Sequence, residues 1–288
     1  MAVGKLYVVA TPIGNLEDIT RRAERVLGEV DLIAAEDTRR TRTLLTHLGI
    51  AKPLVAYFDA VESTRAPELV ERLLAGESVA LVSDAGTPLL SDPGFRLVEG
   101  AHEAGISVVP VPGVSAPMAL LSCAGLPAGR FTFLGFLPAR PSARRKFLGE
   151  YASYGDTLVF FESPRRLPSA LRDLADILGP RQAVIGRELT KRFEELVRGD
   201  LADLAQRYGE SGGEPRVRGE LVLAVSGAAG AEPIPAADLE EILSQRLVER
   251  LGAGESPSRA ARAVAAELGR PRREVYQRAV ELASASGD

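Results

Sequence analysis

The sequence predicts an α/β fold of two domains, with mainly parallel or mixed sheets, followed by a small helical module. Three observations predict it. From Lys5 to Val111, short apolar runs alternate five times with segments of helical periodicity. From Phe131 to Ser226 the alternation persists less strictly, and beyond residue 237 apolar residues recur only at helical spacing.

Lys5 to Ala10 reads as a buried strand, with Thr11-Pro12-Ile13-Gly14-Asn15 as its exit and Ile19, Ala23, Val26 and Leu27 on the following helix. Asp31 to Ala35 is a second strand, ending in Glu36-Asp37-Thr38 before a helix marked by Leu44, Leu45 and Leu48. Leu54 to Tyr57, a helix over about Thr64 to Ala75, and Ser78 to Val82 follow. The last run breaks into Ser83-Asp84-Ala85-Gly86-Thr87-Pro88 and Ser91-Asp92-Pro93-Gly94, small and turn-forming residues at a strand's carboxyl end, where open α/β sheets bind ligands. A helix from Phe95 to Ala104, a strand from Ser107 to Val111, and a helix capped by Ser115 complete the first set.

The second set comprises strand Phe131 to Phe136, an Arg-rich loop from Pro138 to Arg145, strand Thr157 to Phe161, helix Leu167 to Leu178, strands Gln182 to Arg187 and Glu194 to Arg198, helix Leu201 to Tyr208, and strand Glu220 to Ser226. The domains expected are 1–125 and 126–227, a linker at 228–237, and a helical module at 238–288. That module has a helix-turn-helix outline, yet its eight Arg face nine acidic residues, so DNA- or RNA-binding and plain tri-helical packing both remain open.

The 288 residues are 45% hydrophobic and 26% charged, a composition that builds a core and excludes a disordered chain. No apolar run reaches the ~18 residues of a membrane span, and the run at Leu6 to Ala10 is too short for a signal peptide. A cytoplasmic protein without membrane contact is expected. One cysteine, Cys123, and two histidines, His47 and His102, assemble neither a disulfide nor a Cys/His metal cluster, so no metal is expected. With a net charge of −4, nucleic-acid binding requires a local basic patch.

There is no Gly-x-Ser-x-Gly elbow, phosphate-binding Gly-Lys loop or Gly-x-Gly-x-x-Gly fingerprint, which argues against hydrolases, P-loop enzymes and hydride transfer. What remains is a set of strand exits, at Thr11 to Asn15, Glu36 to Arg40, Ser83 to Gly94, Pro112 to Ala116 and Glu162 to Arg166. Their backbone donors and carboxylates suit a zwitterionic, partly apolar ligand.

Five ordered blocks resemble the ribosomal-RNA-modifying branch of the tetrapyrrole (corrin/porphyrin) methylase superfamily. They are Leu6 to Leu16, Ala35 to Arg39, Ser83 to Pro88, Pro112 to Ala116 and Phe161 to Arg166, and the helical tail is similar as well. The resemblance implies a tetrapyrrole-methylase-like fold, S-adenosylmethionine in an interdomain cleft, a homodimer, and 2′-O-methylation of a cytidine ribose in the 16S RNA of the 30S subunit. It places Pro12 on the substrate side of the cleft. It places Ser83, Asp84, Ala85, Gly86, Thr87 and Pro88 around the methionyl part of the cofactor, Ser115 and Ala116 at its ribose or amino acid end, and Phe160, Phe161 and Glu162 at its adenosine. Tetrapyrrole-acting members usually carry a Gly-rich exit after the first strand; Thr11-Pro12-Ile13-Gly14-Asn15 departs from it, which argues against a tetrapyrrole substrate.

Methyl transfer to a hydroxyl needs alignment and a nearby base. The candidates are Glu36, Asp37 and Asp84, alongside plainer roles: helix capping for Glu36 and Asp37, and backbone or cofactor hydrogen bonding for Asp84. The expected RNA contacts are Arg39, Arg40, Arg42, Arg140, Arg144, Arg145, Arg165 and Arg166, whose guanidinium forks fit phosphate. A tetrapyrrole methyltransferase of the same fold and a non-catalytic RNA-binding or ribosome-assembly protein are the alternatives.

Overall fold

The computed structural model describes residues 3–209, 218–228, 236–268 and 272–285. Its first sheet contains β1 (Lys5–Val9), β2 (Leu32–Ala35), β3 (Leu54–Ala56), β4 (Val79–Val82) and β5 (Ser107–Val111), all parallel in the order β3-β2-β4-β1-β5. Both faces are covered, as parallel sheets require. Helices α3 (Asp59–Leu74) and α4 (Phe95–Glu103) pack Leu69, Leu73 and Leu97 onto Leu6, Leu32 and Leu81. On the other face, α1 (Arg21–Glu29) and α2 (Thr38–His47) pack Val26, Leu27 and Leu45 onto Val9, Ile33 and Val82.

The second sheet is mixed, in the order β6-β7-β10-β8-β9, from β6 (Phe131–Phe136), β7 (Thr157–Glu162), β8 (Gln182–Arg187), β9 (Glu195–Asp200) and β10 (Leu221–Val225). Among its neighbouring pairs β6·β7 is parallel, and β7·β10, β10·β8 and β8·β9 are antiparallel. Strand periodicity of two divides its side chains cleanly. Leu158, Phe160, Ile185, Leu221, Leu223 and Val225 face an outer layer of α6 (Pro141–Gly149), α7 (Leu167–Leu178) and α8 (Leu201–Gly209). Val159, Phe161, Val184, Val222 and Ala224 face inward, against Leu120, Leu121 and Ala124 at α5 (Ala116–Cys123). Each buried leucine here contributes about 1.5–3 kcal/mol. Helix α5 follows the first sheet in the chain but packs on the second, and so joins the two halves.

Two elements differ from the sequence reading. The Arg-rich loop expected at Pro138 to Arg145 is mostly helix, since Pro141 stands at the start of α6, where its missing N–H is no loss. Helix α3 starts at Asp59, a turn before the expected Thr64, and carries Pro67 inside it. Among the described tail residues, α9 (Ala236–Gly252), α10 (Pro257–Leu268) and α11 (Arg272–Ala285) bury Leu243, Leu247, Val264 and Val275 in a core of their own. Most of the expected linker, residues 229–235, lies outside the described residues. No helix among the described residues is long and apolar enough to cross a membrane.

Candidate functional site

The exits of β1, β2 and β4 meet at the carboxyl edge of the first sheet. Thr11 and Gly86 form an antiparallel bridge, each amide donating to the other's carbonyl at 2.8 and 3.0 Å. Gly86 stands at φ +83°, a conformation that glycine adopts without penalty. The Thr11 hydroxyl donates to the Ser83 carbonyl at 3.2 Å, and Thr87 Oγ1 donates to the Val114 carbonyl at 3.2 Å. The loop is therefore tied to the exits of both β1 and β5.

The carboxylates crosslink the exits as well. The Asp84 amide donates to Glu36 Oε2 at 3.1 Å, the Asp37 amide donates to Asp84 Oδ1 at 2.9 Å, and Arg40 pairs with Asp84 Oδ2 at 3.3 Å. Beyond them, Leu89 and Ser91 are left-handed without being glycine, at φ 72° and 71°, a strain that collects at ligand sites. The loop's far end is held by Glu62, whose Oε1 accepts from the Gly94 and Arg96 amides and the Tyr57 hydroxyl at 3.0–3.1 Å.

These exits and the inward face of the second sheet enclose a cavity of about 380 Å³, inside the roughly 300–1,000 Å³ range of small-molecule sites. One part of its lining is acidic, with Glu36, Asp84 and Asp92; another is apolar, with Phe136, Phe161, Leu189 and Val222. Burial pushes the Asp92 carboxyl up to about 6, with the Ser83 hydrogen bond opposing and the charges of Glu36, Asp84 and Asp59 adding to it. Burial also raises Glu36, against the lowering effect of the Asp84 amide. A second cavity of about 210 Å³ adjoins the first, lined by Thr11, Pro12, Gly14, Thr41, Ser83 and Lys191; Arg40, Asp84 and Glu220 line both.

Of the residues expected at a cofactor, Asp84, Ala85, Gly86, Thr87, Ser115, Ala116, Phe161 and Glu162 line the larger cavity. Pro12 and Ser83 line the smaller one instead. Ser115 occupies the cap position of α5 but makes no side-chain capping bond. Glu162 is buried; its Oε1 accepts from the Ser163 amide and Arg166, while its Oε2 has no partner among the described residues. Phe160 is a correction: β-strand alternation turns it to the outer core, where it is fully buried. Pro88 lines neither cavity.

Among the proposed bases, Asp37 caps α2 by accepting from the Arg39 amide at 2.8 Å and lines neither cavity. The Arg39 guanidinium beside it holds its carboxyl well below the usual carboxylate range.

The arginines divide. Arg40 lies at the junction of the cavities, and Arg42, Arg140 and Arg165 are exposed. Arg39 is exposed but engages Asp37 through two hydrogen bonds. Arg144 is a correction, because it is 1% exposed and paired with Asp173 at 2.6 Å. Arg145 bridges Asp173 and Asp176 at 2.9 Å, and Arg166 links Glu162 to the Leu137 carbonyl, so both brace the second half. Asp92, Phe136 and Lys191 were not among the expected site residues. Asp92 was visible in the Ser91-Asp92-Pro93-Gly94 turn; the other two depend on contacts between distant segments.

The site fits a cofactor with a cationic centre and a planar apolar end: carboxylates gather in one part of the lining and aromatic rings in another. Among the described residues no group of three or more His, Cys, Asp or Glu is placed to hold a metal.

Residues 5–205 match the family model of tetrapyrrole (corrin/porphyrin) methylases, and residues 236–283 match that of the RsmI C-terminal HTH domain. The chain is similar to the ribosomal RNA small subunit methyltransferase I of Xylella fastidiosa, 49% identical over 274 residues covering 95% of this chain and 98% of the relative. The protein of the same name from Pseudomonas aeruginosa is 46% identical over 283 residues, covering 98% of each. The solved methyltransferase CobJ shares the fold with a TM-score of 0.59 at 22% identity, covering 78% of this chain and 95% of its own. So does uroporphyrin-III C-methyltransferase from Thermus thermophilus complexed with S-adenosylhomocysteine, with a TM-score of 0.53 at 20% identity, covering 77% and 97%.

Proposed function

The chain belongs to the tetrapyrrole (corrin/porphyrin) methylase family, within the group of ribosomal RNA small subunit methyltransferase I, and from that premise we propose that it methylates a cytidine ribose 2′-oxygen in 16S ribosomal RNA. The methyl donor is S-adenosylmethionine. The protein acts on the 30S subunit, as a cytoplasmic homodimer. The observation that carries this reading is the pair of adjoining cavities, the larger with an acidic and an apolar part, the smaller with cationic side chains in its lining.

When bound, S-adenosylmethionine supplies a methyl group on a sulfonium, open to in-line displacement by an oxygen. Every other task falls to this chain. Glu162, buried and paired with Arg166, braces the adenosine end of the cavity, and the Ser115 hydroxyl is available at the ribose or amino acid end. Glu36, Asp84 and Asp92 would hold the cationic sulfonium of the donor by their negative charge, a ground-state attraction that positions it. Glu36 and Asp92, raised by burial, would be better acceptors for the proton of the attacking 2′-hydroxyl than an ordinary surface acid. Asp84 positions rather than accepts, since both its oxygens are engaged. Arg40 steadies the RNA backbone beside the smaller cavity and exposed Arg42, Arg140 and Arg165 extend that contact, while Lys191, paired with Glu188 and Glu220 at 2.9 and 3.1 Å, braces the cavity wall.

The fold neighbours include a uroporphyrin methyltransferase, but at 20–24% identity they share the fold alone. Incubation with labelled cofactor and 30S subunits, followed by mapping of ribose methylation, tests the reading. Label on ribose 2′-oxygens of cytidine is expected; its absence from protein that binds S-adenosylhomocysteine would overturn the assigned substrate.

A further inference from the structure

Strand β6 begins with regular alternation. Phe131 and Phe133 pack inward, against the core shared with α5, while Leu134 packs outward with α6 to α8. Continued alternation would send residue 135 inward and Phe136 outward. The pairing with β7 shows why it does not: Phe133 stands opposite Val159, but Phe136 stands opposite Phe161. Three steps on β6 thus match two on β7, the signature of one inserted residue.

The extra residue is accommodated at Leu134-Gly135. Gly135 adopts φ +62°, and a Cβ placed there would stand 3.2 Å from Ser91 Oγ on the acidic loop of the other half. The bulge is therefore shaped by a glycine where the two halves meet. Its result is that Phe136 turns onto the inward face, its ring centroid 5.3 Å from that of Phe161, whose ring meets Phe133 edge-on at 5.2 Å. Phe161 is partly covered, whereas Phe136 remains 55% exposed at the cavity wall. Pro164, Leu189 and Val222 continue the apolar lining beside the two rings, with Glu162 and Glu220 at its margin.

We infer that Phe136, delivered to the cavity by the bulge at Gly135, is the stacking partner of the cofactor's purine and the main side-chain determinant of adenine affinity. The inference rests on the cofactor reading above. Within that cofactor the purine is the one planar aromatic group, and an exposed phenyl ring over an apolar wall offers what such a group needs: a face to stack on and apolar surface around it. Phe161 forms the floor, braced by Phe133. Phe136 closes the open side and loses its solvent exposure as the purine enters.

The chain contains no tryptophan, so Phe136→Trp installs a single indole at the proposed contact. Titration with S-adenosylhomocysteine is expected to change its emission saturably, at the affinity calorimetry gives for the same variant. Phe136→Leu, which keeps an apolar side chain of similar reach without the ring, should weaken S-adenosylhomocysteine about 5- to 100-fold, the range for loss of one base–aromatic stack. Phe136→Tyr should stay within about threefold of wild type. The KM for the methyl donor should rise in Phe136→Leu by the same factor as the dissociation constant, with the KM for 30S subunits nearly unchanged. Wild-type cofactor affinity in Phe136→Leu overturns the inference, as does a rise confined to the KM for 30S subunits, which would assign the ring to the target base. A wild-type protein that takes up no S-adenosylhomocysteine overturns the cofactor reading and this inference together.

Discussion

Asp84 and Glu36 are bound backbone to side chain across two neighbouring strand exits, the Asp84 amide donating to Glu36 Oε2 at 3.1 Å. Asp84 in turn accepts from the Asp37 amide, so each exit is capped by the carboxylate of the other. Strands β2 and β4 are adjacent in the sheet, with Ala35 opposite Val82, and the interlock begins where their ladder stops.

Asp84→Asn keeps an acceptor for the Asp37 amide, and its unfolding free energy should stay within about 1 kcal/mol of wild type. Asp84→Ala leaves that amide without its partner and should cost about 1–3 kcal/mol. Urea denaturation separates the two; equal stabilities would show that the carboxylate does not hold the exits together.

Asp92 gives a pH signature. Its folded value, about 6, lies above the ordinary aspartate value of 3.8, so the folded state binds its proton more tightly than the unfolded chain. This contribution to stability is full below about pH 3.8 and is lost as pH rises through about 6. Asp92→Asn should therefore gain roughly 1 kcal/mol over wild type at pH 8, after discounting for partial solvation, and nothing at pH 4. Melting temperatures across that range test it. The same titration predicts that affinity for the cationic S-adenosylmethionine rises through pH 6 more steeply than affinity for neutral S-adenosylhomocysteine, a difference that calorimetry reads directly.

Arg144 and the exposed arginines should fail in different assays. Arg144→Ala strands Asp173 in the second core, with Arg145 as its remaining ion-pair partner among the described residues, and should cost about 3 kcal/mol of stability. The double variant Arg140→Ala/Arg165→Ala should unfold like wild type within about 0.5 kcal/mol. Its RNA affinity should fall, and the slope of log affinity against log salt should lessen by about 2. An unchanged salt slope would remove both residues from the RNA contact.

Gly86→Ala should destabilise by about 1–2 kcal/mol, because the cost is in the backbone: φ is +83°, while the added Cβ meets Ile13 at an ordinary 3.4 Å. Thermal unfolding checks this, and a neutral result would mean the loop relaxes out of its left-handed turn.

The alternation of strand and helix was legible throughout, because periods of 2 and 3.6 are local properties. The strand-exit turns that line the cavities were legible as well, since Ser83 to Thr87 and Ser115-Ala116 carry turn chemistry in the order of the chain. Which side of a strand reaches the cavity was not. Phe160 and Phe161 are equally apolar neighbours, and only the sheet's packing turns one outward and the other into the site. Phe136 was hidden by a one-residue insertion that breaks the alternation itself. The reading of Arg144 as an RNA contact failed for a related reason: its partner Asp173 lies 29 positions away, and charge alone does not distinguish a phosphate-binding fork from a buried ion pair.

Helix α5 has a consequence for synthesis. Its apolar side, with Leu120 and Leu121, is covered by β7, β8 and β10, and β10 is complete only at Val225, about 100 residues after the helix ends. At translation speeds of roughly 5–20 residues per second, the emerging chain carries that uncovered surface for about 5 to 20 s. The first half therefore leaves the exit tunnel with its sheet closed and one greasy helix waiting, a transient demand on chaperones that the finished protein no longer displays.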